Sequence, residues 1–121
     1  MFDVIIIGLG AAGYTAAIYC ARYKLKTMLI GEVEGGMGIT AAEVGNWPGE
    51  IEIRGPDLME KFAKHAKSFE EVTTKAGRVI KIEKGAEGTK GTDGTEVVFT
   101  LTFQNGEKVQ GKTVILATGS A

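Results

Sequence analysis

The chain has 121 residues and a net charge of −1, from 14 basic and 15 acidic side chains. A chain of this length buries one core and forms one domain, so these residues cannot hold a two-domain enzyme. The balanced charge gives no electrostatic reason to expect nucleic acid or an anionic membrane as a partner. Glycine is abundant, with 18 residues, and it concentrates where a backbone needs a positive φ or approaches a ligand closely.

The chain contains one cysteine, Cys20, which excludes an intrachain disulfide and a C-x-x-C redox pair within these residues. The first residues carry an acid and no basic cluster, and their apolar run is much shorter than a signal-peptide core or a membrane span. These features predict a cytoplasmic protein without a membrane partner.

The first thirty residues have the pattern of a βαβ unit. Residues 4–7 are continuously apolar and β-branched, which predicts a strand buried on both faces of a parallel sheet. A glycine-rich turn follows, then an alanine-rich stretch to residue 23 that predicts a helix. Residues 25–30 predict a second strand. The two strands and the helix together span about thirty residues, which is the length that a βαβ unit needs.

The turn after the first strand carries the pattern G-x-G-x-x-G at Gly8, Gly10 and Gly13. It lies directly after a buried strand and opens a helix, as a dinucleotide-binding turn must. Gly8 would allow the tight turn, Gly10 the approach of a pyrophosphate, and Gly13 close packing of helix on strand. A glycine-rich turn without a ligand is the alternative.

An acidic residue about twenty positions beyond such a turn accepts hydrogen bonds from the adenosine ribose. Glu32 lies nineteen positions after Gly13, just past the second predicted strand. Glu34 competes for the role, and both acids could instead be solvated loop residues. An acid here favours an unphosphorylated ribose, as in FAD or NAD, over NADP.

Residues 31–54 contain six glycines and predict a long loop, with one helical turn near residues 40–44. Gly55-Pro56-Asp57 predicts the start of a second helix, with proline and an acid in its first turn. Apolar residues at spacings of three and four predict the stripe that packs on a sheet. The stripe consists of Leu58, Phe62, His65, Ala66 and Phe69.

The remaining residues predict strands. Short strands are expected at 72–75 and 78–84, and residues 95–103 alternate, with Val97, Phe99, Leu101 and Phe103 on one face. Asn105-Gly106 is a strong hairpin signal, so residues 78–110 predict a three-stranded antiparallel meander, with a mobile tip at 85–94. Residues 113–117 predict a further buried strand. The fold expected is α/β and Rossmann-like, a parallel sheet with this meander.

Several segments together resemble, in order and spacing, the FAD domain of low-molecular-weight thioredoxin reductases. They are residues 8–13, Gly35-Gly36-Met37, residues 43–49, residues 55–59 and Ala117-Thr118-Gly119. The resemblance covers nearly the whole chain. Asn46-Trp47-Pro48-Gly49 is its most specific piece, since this segment is much rarer than the dinucleotide pattern.

The resemblance implies FAD as the cofactor and a set of cofactor contacts. These are pyrophosphate binding by N–H groups near Ala11 and Ala12, ribose binding by Glu32, an adenine contact from the Val79 backbone, a hydrogen bond from Asn46 to the isoalloxazine ring, and flavin-side contacts at Gly36, Met37, Thr118 and Gly119. No catalytic residue or metal ligand is expected among these 121 residues.

The chain also departs from the family. Met37 stands where glutamine is common beside the flavin, Gly38 where leucine is usual, and Ala11 where proline is frequent. In the family, Ala-Thr-Gly leads into an inserted NADPH domain that bears the C-x-x-C, after which a segment returns to complete the FAD domain. We therefore expect residues 1–121 to form the N-terminal part of an FAD domain, which cannot reduce a disulfide by itself.

The function expected is the FAD-binding portion of a thioredoxin reductase-like flavoprotein disulfide oxidoreductase. Its partners would be FAD and a complementary chain or the remainder of the same enzyme, with a thioredoxin-like protein only for the complete enzyme. Two alternatives stay open: the FAD part of a ferredoxin- or flavodoxin-NADP reductase, and a non-catalytic nucleotide-binding module.

Three single residues have a structural interpretation beside a functional one. Cys20 lies on the small-residue face of the first helix, which favours packing over redox chemistry. His65 lies within an apolar stripe, which favours a packed or rim position over catalysis. Trp47 could equally stack near the flavin or cover the core.

Overall fold

A computed structural model describes residues 1–32, 35–85 and 97–119, and it confirms the α/β fold. The described strands are β1 (Phe2–Ile7), β2 (Thr27–Gly31), β3 (Val72–Ala76), β4 (Val79–Lys84), β5 (Phe99–Phe103) and β6 (Lys108–Leu116). The described helices are α1 (Ala11–Arg22), a 3-10 helix (Gly36–Thr40) and α2 (Gly55–Lys67). None of these helices is long and apolar enough to cross a membrane.

The six strands form one sheet in the order β3-β2-β1-β6-β5-β4. β1 pairs in parallel with β2 and β6, and β2 pairs in parallel with β3. The meander is antiparallel, with β4 on β5 and β5 on β6. The Asn105-Gly106 turn lies between β5 and β6 as predicted, and the Gly106 N–H donates to the Phe103 carbonyl at 2.9 Å.

The prediction that the meander ends at residue 110 and that a separate strand covers 113–117 was wrong, because β6 runs through both regions without a break. Gly111 pairs with Phe2 of β1 on one side and with Phe99 of β5 on the other. The same strand therefore ends the meander and extends the parallel sheet. Each neighbour supplies backbone partners for one part of β6, which keeps it extended throughout.

The sheet curls, so that the end of β3 and the link after it approach β5 and the β5–β6 turn. β3 and β4 are consecutive in the chain and are joined by Gly77 and Arg78. The ring of Phe103 packs on Gly77, where a built Cβ would lie 2.9 Å from Phe103 Cδ1. The Lys75 ammonium pairs with the Glu107 carboxylate at 2.9 Å, which ties β3 to the β5–β6 turn. The sheet thus has a helix-covered outer face and an enclosed inner face.

Each face has its own core. The helix-covered face buries Ile6 and Leu29 with Tyr14 and Ala17 of α1. The inner face buries a second set, which consists of Ile5, Met28, Ile30, Leu101 and Phe103. Successive strand residues point to opposite faces, so the uninterrupted apolar run of β1 supplies both cores.

Three details of the helices and loops differ from the sequence prediction. The helical turn expected at residues 40–44 lies instead at Gly36–Thr40. In α2, Met59 is buried although the predicted stripe left it out, and His65 is exposed. The ring of His65 stacks on Phe69 with centroids 5.8 Å apart, which fits a position at the rim of the core.

Cys20 is partly buried and packs against the core beneath α1. Burial raises the pKa of its thiol, so the reactive thiolate is disfavoured. This location agrees with the structural role that the sequence predicts.

The alternation predicted for residues 95–103 is only partly confirmed. β5 begins at Phe99, and Leu101 and Phe103 of the predicted inward face are buried. Val97 of the same face is exposed, whereas Val98 is buried. Residues 86–96, with most of the predicted mobile tip, lie outside the described residues.

Truncation of the inner core should be costly. Leu101 is fully buried, so Leu101→Ala should destabilise the fold by about 2–5 kcal/mol through lost burial and the remaining cavity. Ile80→Ala, on the exposed side of β4, should cost less than about 0.5 kcal/mol. Chemical denaturation of both variants measures the difference, and equal losses would contradict an enclosed inner core.

The pair that ties β3 to the β5–β6 turn should make stability depend on pH. Hydrogen bonds from Lys75 and Asn105 and the charge of Lys75 lower the pKa of Glu107. A lowered carboxyl pKa stabilises the fold above the unfolded-state pKa, and this contribution is lost as the pH falls through the folded-state pKa. Glu107→Gln should therefore be less stable than the parent at neutral pH and equal to it in acid.

Thermal unfolding across this pH range checks the expectation. Glu83→Gln is the matched control, because the partner of Glu83 is Lys81 of the same strand. If the difference in stability between Glu107→Gln and the parent stayed constant with pH, the role of this carboxylate would be contradicted.

Candidate functional site

The glycine loop, residues 8–13, connects β1 to α1, and two of its glycines are required by the fold. Gly8 has φ 131°, a conformation that residues with a Cβ rarely adopt. A Cβ on Gly8 would also collide with the Ala117 carbonyl of the chain after β6. A Cβ on Gly13 would collide with the Gly8 carbonyl, so Gly13 lets α1 lie against the end of β1.

Gly10 is different, because neither its conformation nor its packing requires glycine. Its φ of −101° and ψ of −168° are open to any residue. A Cβ there would meet its nearest neighbour, Gly36 Cα, at an ordinary 3.7 Å. The protein alone does not explain this glycine, whereas a ligand lying against the backbone would.

The start of α1 suits an anion. No side chain caps this end and its first turn holds no acid. Ala11 and Ala12 are exposed, and the first N–H groups of a helix have no partner within it. These groups and the positive end of the helix dipole have the chemistry that phosphate oxygens need.

The segment that starts the 3-10 helix lies against the glycine loop. The Gly35 N–H donates to the Leu9 carbonyl at 2.6 Å, and a Cβ on Gly36 would come within 3.1 Å of Gly10 Cα. Gly36 therefore lies beside the loop, and its contact with a cofactor stays a prediction. The backbone of Met37 continues into the 3-10 helix, and its side chain lies outside the described part of the structure.

Gly38 stands where the family usually has leucine, and the packing around it explains the glycine. A Cβ there would collide with the Met59 sulfur of α2. The buried Met59 side chain therefore occupies the space that a larger residue at position 38 would need.

The chain after β6 approaches the loop from the other side. The Ala117 N–H donates to the Ile7 carbonyl at 2.8 Å, and a Cβ on Gly8 would lie 3.3 Å from the Thr118 nitrogen. Thr118 is exposed directly beside the loop, and Gly119 follows with φ 76°. The structure thus brings Gly36 and Thr118 to the same loop from distant parts of the chain.

Glu32 lies in a cleft of about 310 Å³, called here the Glu32 cleft. The residues that line it are Glu32, Ala76, Gly77, Arg78, Phe103, Gln104 and Asn105. Its volume is at the lower end of the roughly 300–1,000 Å³ typical of small-molecule sites. Val79, the predicted adenine contact, directly follows the lining residue Arg78 and begins β4.

The Glu32 cleft and the glycine loop adjoin each other through Gly31. A Cβ on Gly31 would lie 2.5 Å from Leu9 Cγ of the loop. On the other side, the Gly77 N–H of the cleft donates to the Gly31 carbonyl at 3.2 Å. Glu34, the competing acid, lies outside the described residues, so the choice of Glu32 stays a prediction.

Asn46 and Trp47 lie on the exposed loop between the 3-10 helix and α2. The Trp47 ring packs on Phe62 of α2, with centroids 4.9 Å apart. Trp47 therefore covers part of α2, as one of its two interpretations expected. The flavin contact predicted for Asn46 stays a prediction.

The sequence analysis missed Arg78. Its Nε lies 4.0 Å from Oε1 of Glu32, and both side chains are more than half exposed within the cleft. The available signal was its position directly before Val79, which the resemblance already placed at the adenine.

A larger cavity of about 520 Å³ lies between α1, the 3-10 helix and α2. Met59, Pro56 and Ile39 contribute apolar surface, and Lys64 and Lys67 add positive charge. It contains none of the predicted cofactor residues. Size alone therefore does not identify the cofactor site.

Comparison with known proteins agrees with this geometry. A family model described as pyridine nucleotide-disulphide oxidoreductase matches residues 2–121. Thioredoxin reductase of Mycoplasmopsis pulmonis is 35% identical over 120 residues, which cover 98% of this chain and 36% of that protein. Glucosaminate ammonia-lyase of Pseudomonas fluorescens is 52% identical over 69 residues, which cover 55% of this chain and 22% of that protein.

The fold agrees as well. The crystal structure of thioredoxin reductase from Streptococcus pyogenes matches with a TM-score of 0.84 and 34% identity, over 100% of this chain and 36% of that one. The chain thus spans about a third or less of the length of these relatives. It belongs to the pyridine nucleotide-disulphide oxidoreductase family, with its likeness to thioredoxin reductases over their N-terminal, FAD-binding portion.

Proposed function

We propose that this chain binds FAD, with the pyrophosphate at the glycine loop and the adenosine in the Glu32 cleft. It would serve as the FAD-binding portion of a thioredoxin reductase-like flavoprotein disulfide oxidoreductase. The family match supports the cofactor, and the glycine loop with the adjoining Glu32 cleft supports its placement.

The observation that carries the proposal is the contrast between Gly10 and its neighbours. Gly8 and Gly13 are explained by collisions within the protein, whereas Gly10 is not. A pyrophosphate bound to the N–H groups of Ala11 and Ala12 would lie against Gly10, and a methyl group there would hold it away.

The residues present fit the two ends of such a ligand. The start of α1 offers N–H donors and a positive dipole end for phosphates. Glu32, next to the loop, offers acceptors for ribose hydroxyls. Gly36 and Thr118 lie on two sides of the loop. The part of FAD that carries the flavin would extend from the bound pyrophosphate past these residues. When bound, FAD supplies the redox chemistry, and these residues bind and orient it.

Disulfide chemistry would depend on residues beyond these 121. Reduction of a disulfide needs a dithiol, and Cys20 is the single cysteine in the sequence. Burial raises the pKa of its thiol, which disfavours the nucleophilic thiolate. A complementary segment or chain would supply the dithiol and the nicotinamide site, and a thioredoxin-like protein would be a partner of that complete assembly.

A second candidate function is nucleotide binding without disulfide reduction. The observation behind it is the 52% identity over 69 residues to a protein named glucosaminate ammonia-lyase. This candidate shares the FAD site, and the two differ only in what the complete protein catalyses.

Alanine at two glycines of the loop separates ligand binding from folding. Gly10→Ala should leave thermal stability nearly unchanged and lower FAD affinity, because the new methyl group lies where the pyrophosphate would. Gly13→Ala should lower stability strongly, because its methyl group collides with the Gly8 carbonyl. Thermal unfolding and flavin-fluorescence titration measure both effects. If Gly10→Ala bound FAD as well as the parent, the proposed pyrophosphate position would be wrong.

The acid of the Glu32 cleft gives a second test. Glu32→Gln should weaken binding of ADP and FAD by about 1.5–3 kcal/mol, through loss of charge-assisted hydrogen bonds to the ribose. Glu70→Gln, an exposed acid in the connection between α2 and β3, should have no effect. Calorimetric titration with ADP measures the change. An effect of Glu34→Gln with none from Glu32→Gln would transfer the ribose role to Glu34.

A further inference from the structure

The Glu32 cleft contains two opposite charges that face each other. Arg78 Nε lies 4.0 Å from Glu32 Oε1. The two residues come from distant parts of the sheet, after β2 and before β4, and the curl of the sheet brings them together. Their side chains are 66% and 56% exposed, so neither is fixed by burial.

Two other polar side chains near the cleft, Lys75 and Asn105, are engaged elsewhere. The Lys75 ammonium pairs with Glu107 at 2.9 Å. The Asn105 side chain donates to the same carboxylate at 2.6 Å and accepts from the Glu107 N–H at 2.9 Å. Among the described residues that line the cleft, Arg78 is therefore the one that carries a positive charge.

The two charges favour different ligands. A carboxylate at this position accepts hydrogen bonds from ribose hydroxyls and repels a phosphate, whereas an arginine nearby accommodates a 2′-phosphate. Arginine binds phosphate through paired N–H groups with fixed geometry. An exposed ion pair at this distance contributes little to stability, so either side chain can turn toward a ligand.

We infer that Arg78 makes the Glu32 cleft accept adenosine that carries a 2′-phosphate, besides the unphosphorylated adenosine of FAD. This inference rests on the proposed adenosine site. It assigns Arg78 as a specificity-determining residue, which neutralises Glu32 and offers its guanidinium to the phosphate. Glu32 alone predicts that the cleft rejects a 2′-phosphate. The pair of Glu32 and Arg78 predicts that the cleft accepts it.

The test compares adenosine 5′-monophosphate with adenosine 2′,5′-bisphosphate, two probes that differ only in the 2′-phosphate. Calorimetric titration of the parent chain should detect both. Arg78→Gln should weaken the bisphosphate at least about tenfold, since a hydrogen bond between charged groups is lost, with a much smaller effect on the monophosphate. Arg78→Lys should keep part of the bisphosphate affinity, because it keeps the charge.

Two further variants sharpen the comparison. Glu32→Gln should shift the preference toward the bisphosphate, because the repelling carboxylate is removed. Arg54→Gln is the matched control: Arg54 is similarly exposed and pairs with Asp57 at 3.9 Å in α2. It should leave both affinities unchanged, and thermal unfolding should confirm that every variant is folded.

The possible failures are distinguishable. If the parent binds the monophosphate in a Glu32-dependent manner but rejects the bisphosphate, the role of Arg78 is wrong and the adenosine site stands. Equal weakening of both probes by Arg78→Gln would reduce Arg78 to a structural residue of the cleft. If neither the monophosphate nor FAD binds, the proposed function fails, and the inference fails with it.

Discussion

The site depends on one backbone crossing at the end of β1. The Gly8 carbonyl lies where a Cβ on Gly13 would be, and the Ala117 carbonyl lies where a Cβ on Gly8 would be. Three segments, the end of β1, the start of α1 and the chain after β6, therefore meet closer than any side chain permits. Because they meet, the first N–H groups of α1 and the exposed Thr118 lie at the same edge of the sheet. A methyl group at Gly8 or Gly13 would separate these segments, and the anion site would be lost with the packing.

The curl of the sheet supplies the second half of the site. Phe103 packs on Gly77, and Lys75 pairs with Glu107, so the end of β3 approaches β5 and the β5–β6 turn. This closure encloses the inner core and forms the Glu32 cleft at the same time. The residues that close the sheet are therefore neighbours of those that would contact adenosine in the proposed function.

The likeness to thioredoxin reductases covers 36% of the Mycoplasmopsis pulmonis protein and extends over 98% of this chain. In the proposed function this module would bind and orient the cofactor, and its single thiol is partly buried with a raised pKa. A portion that binds a cofactor without supplying the dithiol can serve different chemistries, depending on what accompanies it. The match to a protein named as an ammonia-lyase, over little more than half of this chain, is consistent with that view.

The sequence by itself determined the features that depend on neighbouring residues. The βαβ unit, the glycine loop and the turn at Asn105-Gly106 were predictable, because strand runs, helix spacing and turn chemistry are local properties. Only the tertiary structure decided that β6 is one strand, because its extended middle depends on pairing with both β1 and β5. It likewise decided that Gly10, unlike Gly8 and Gly13 of the same loop, lacks a reason within the protein, and that Arg78 faces Glu32. Those facts depend on how close distant segments come, and local patterns carry no information about such distances.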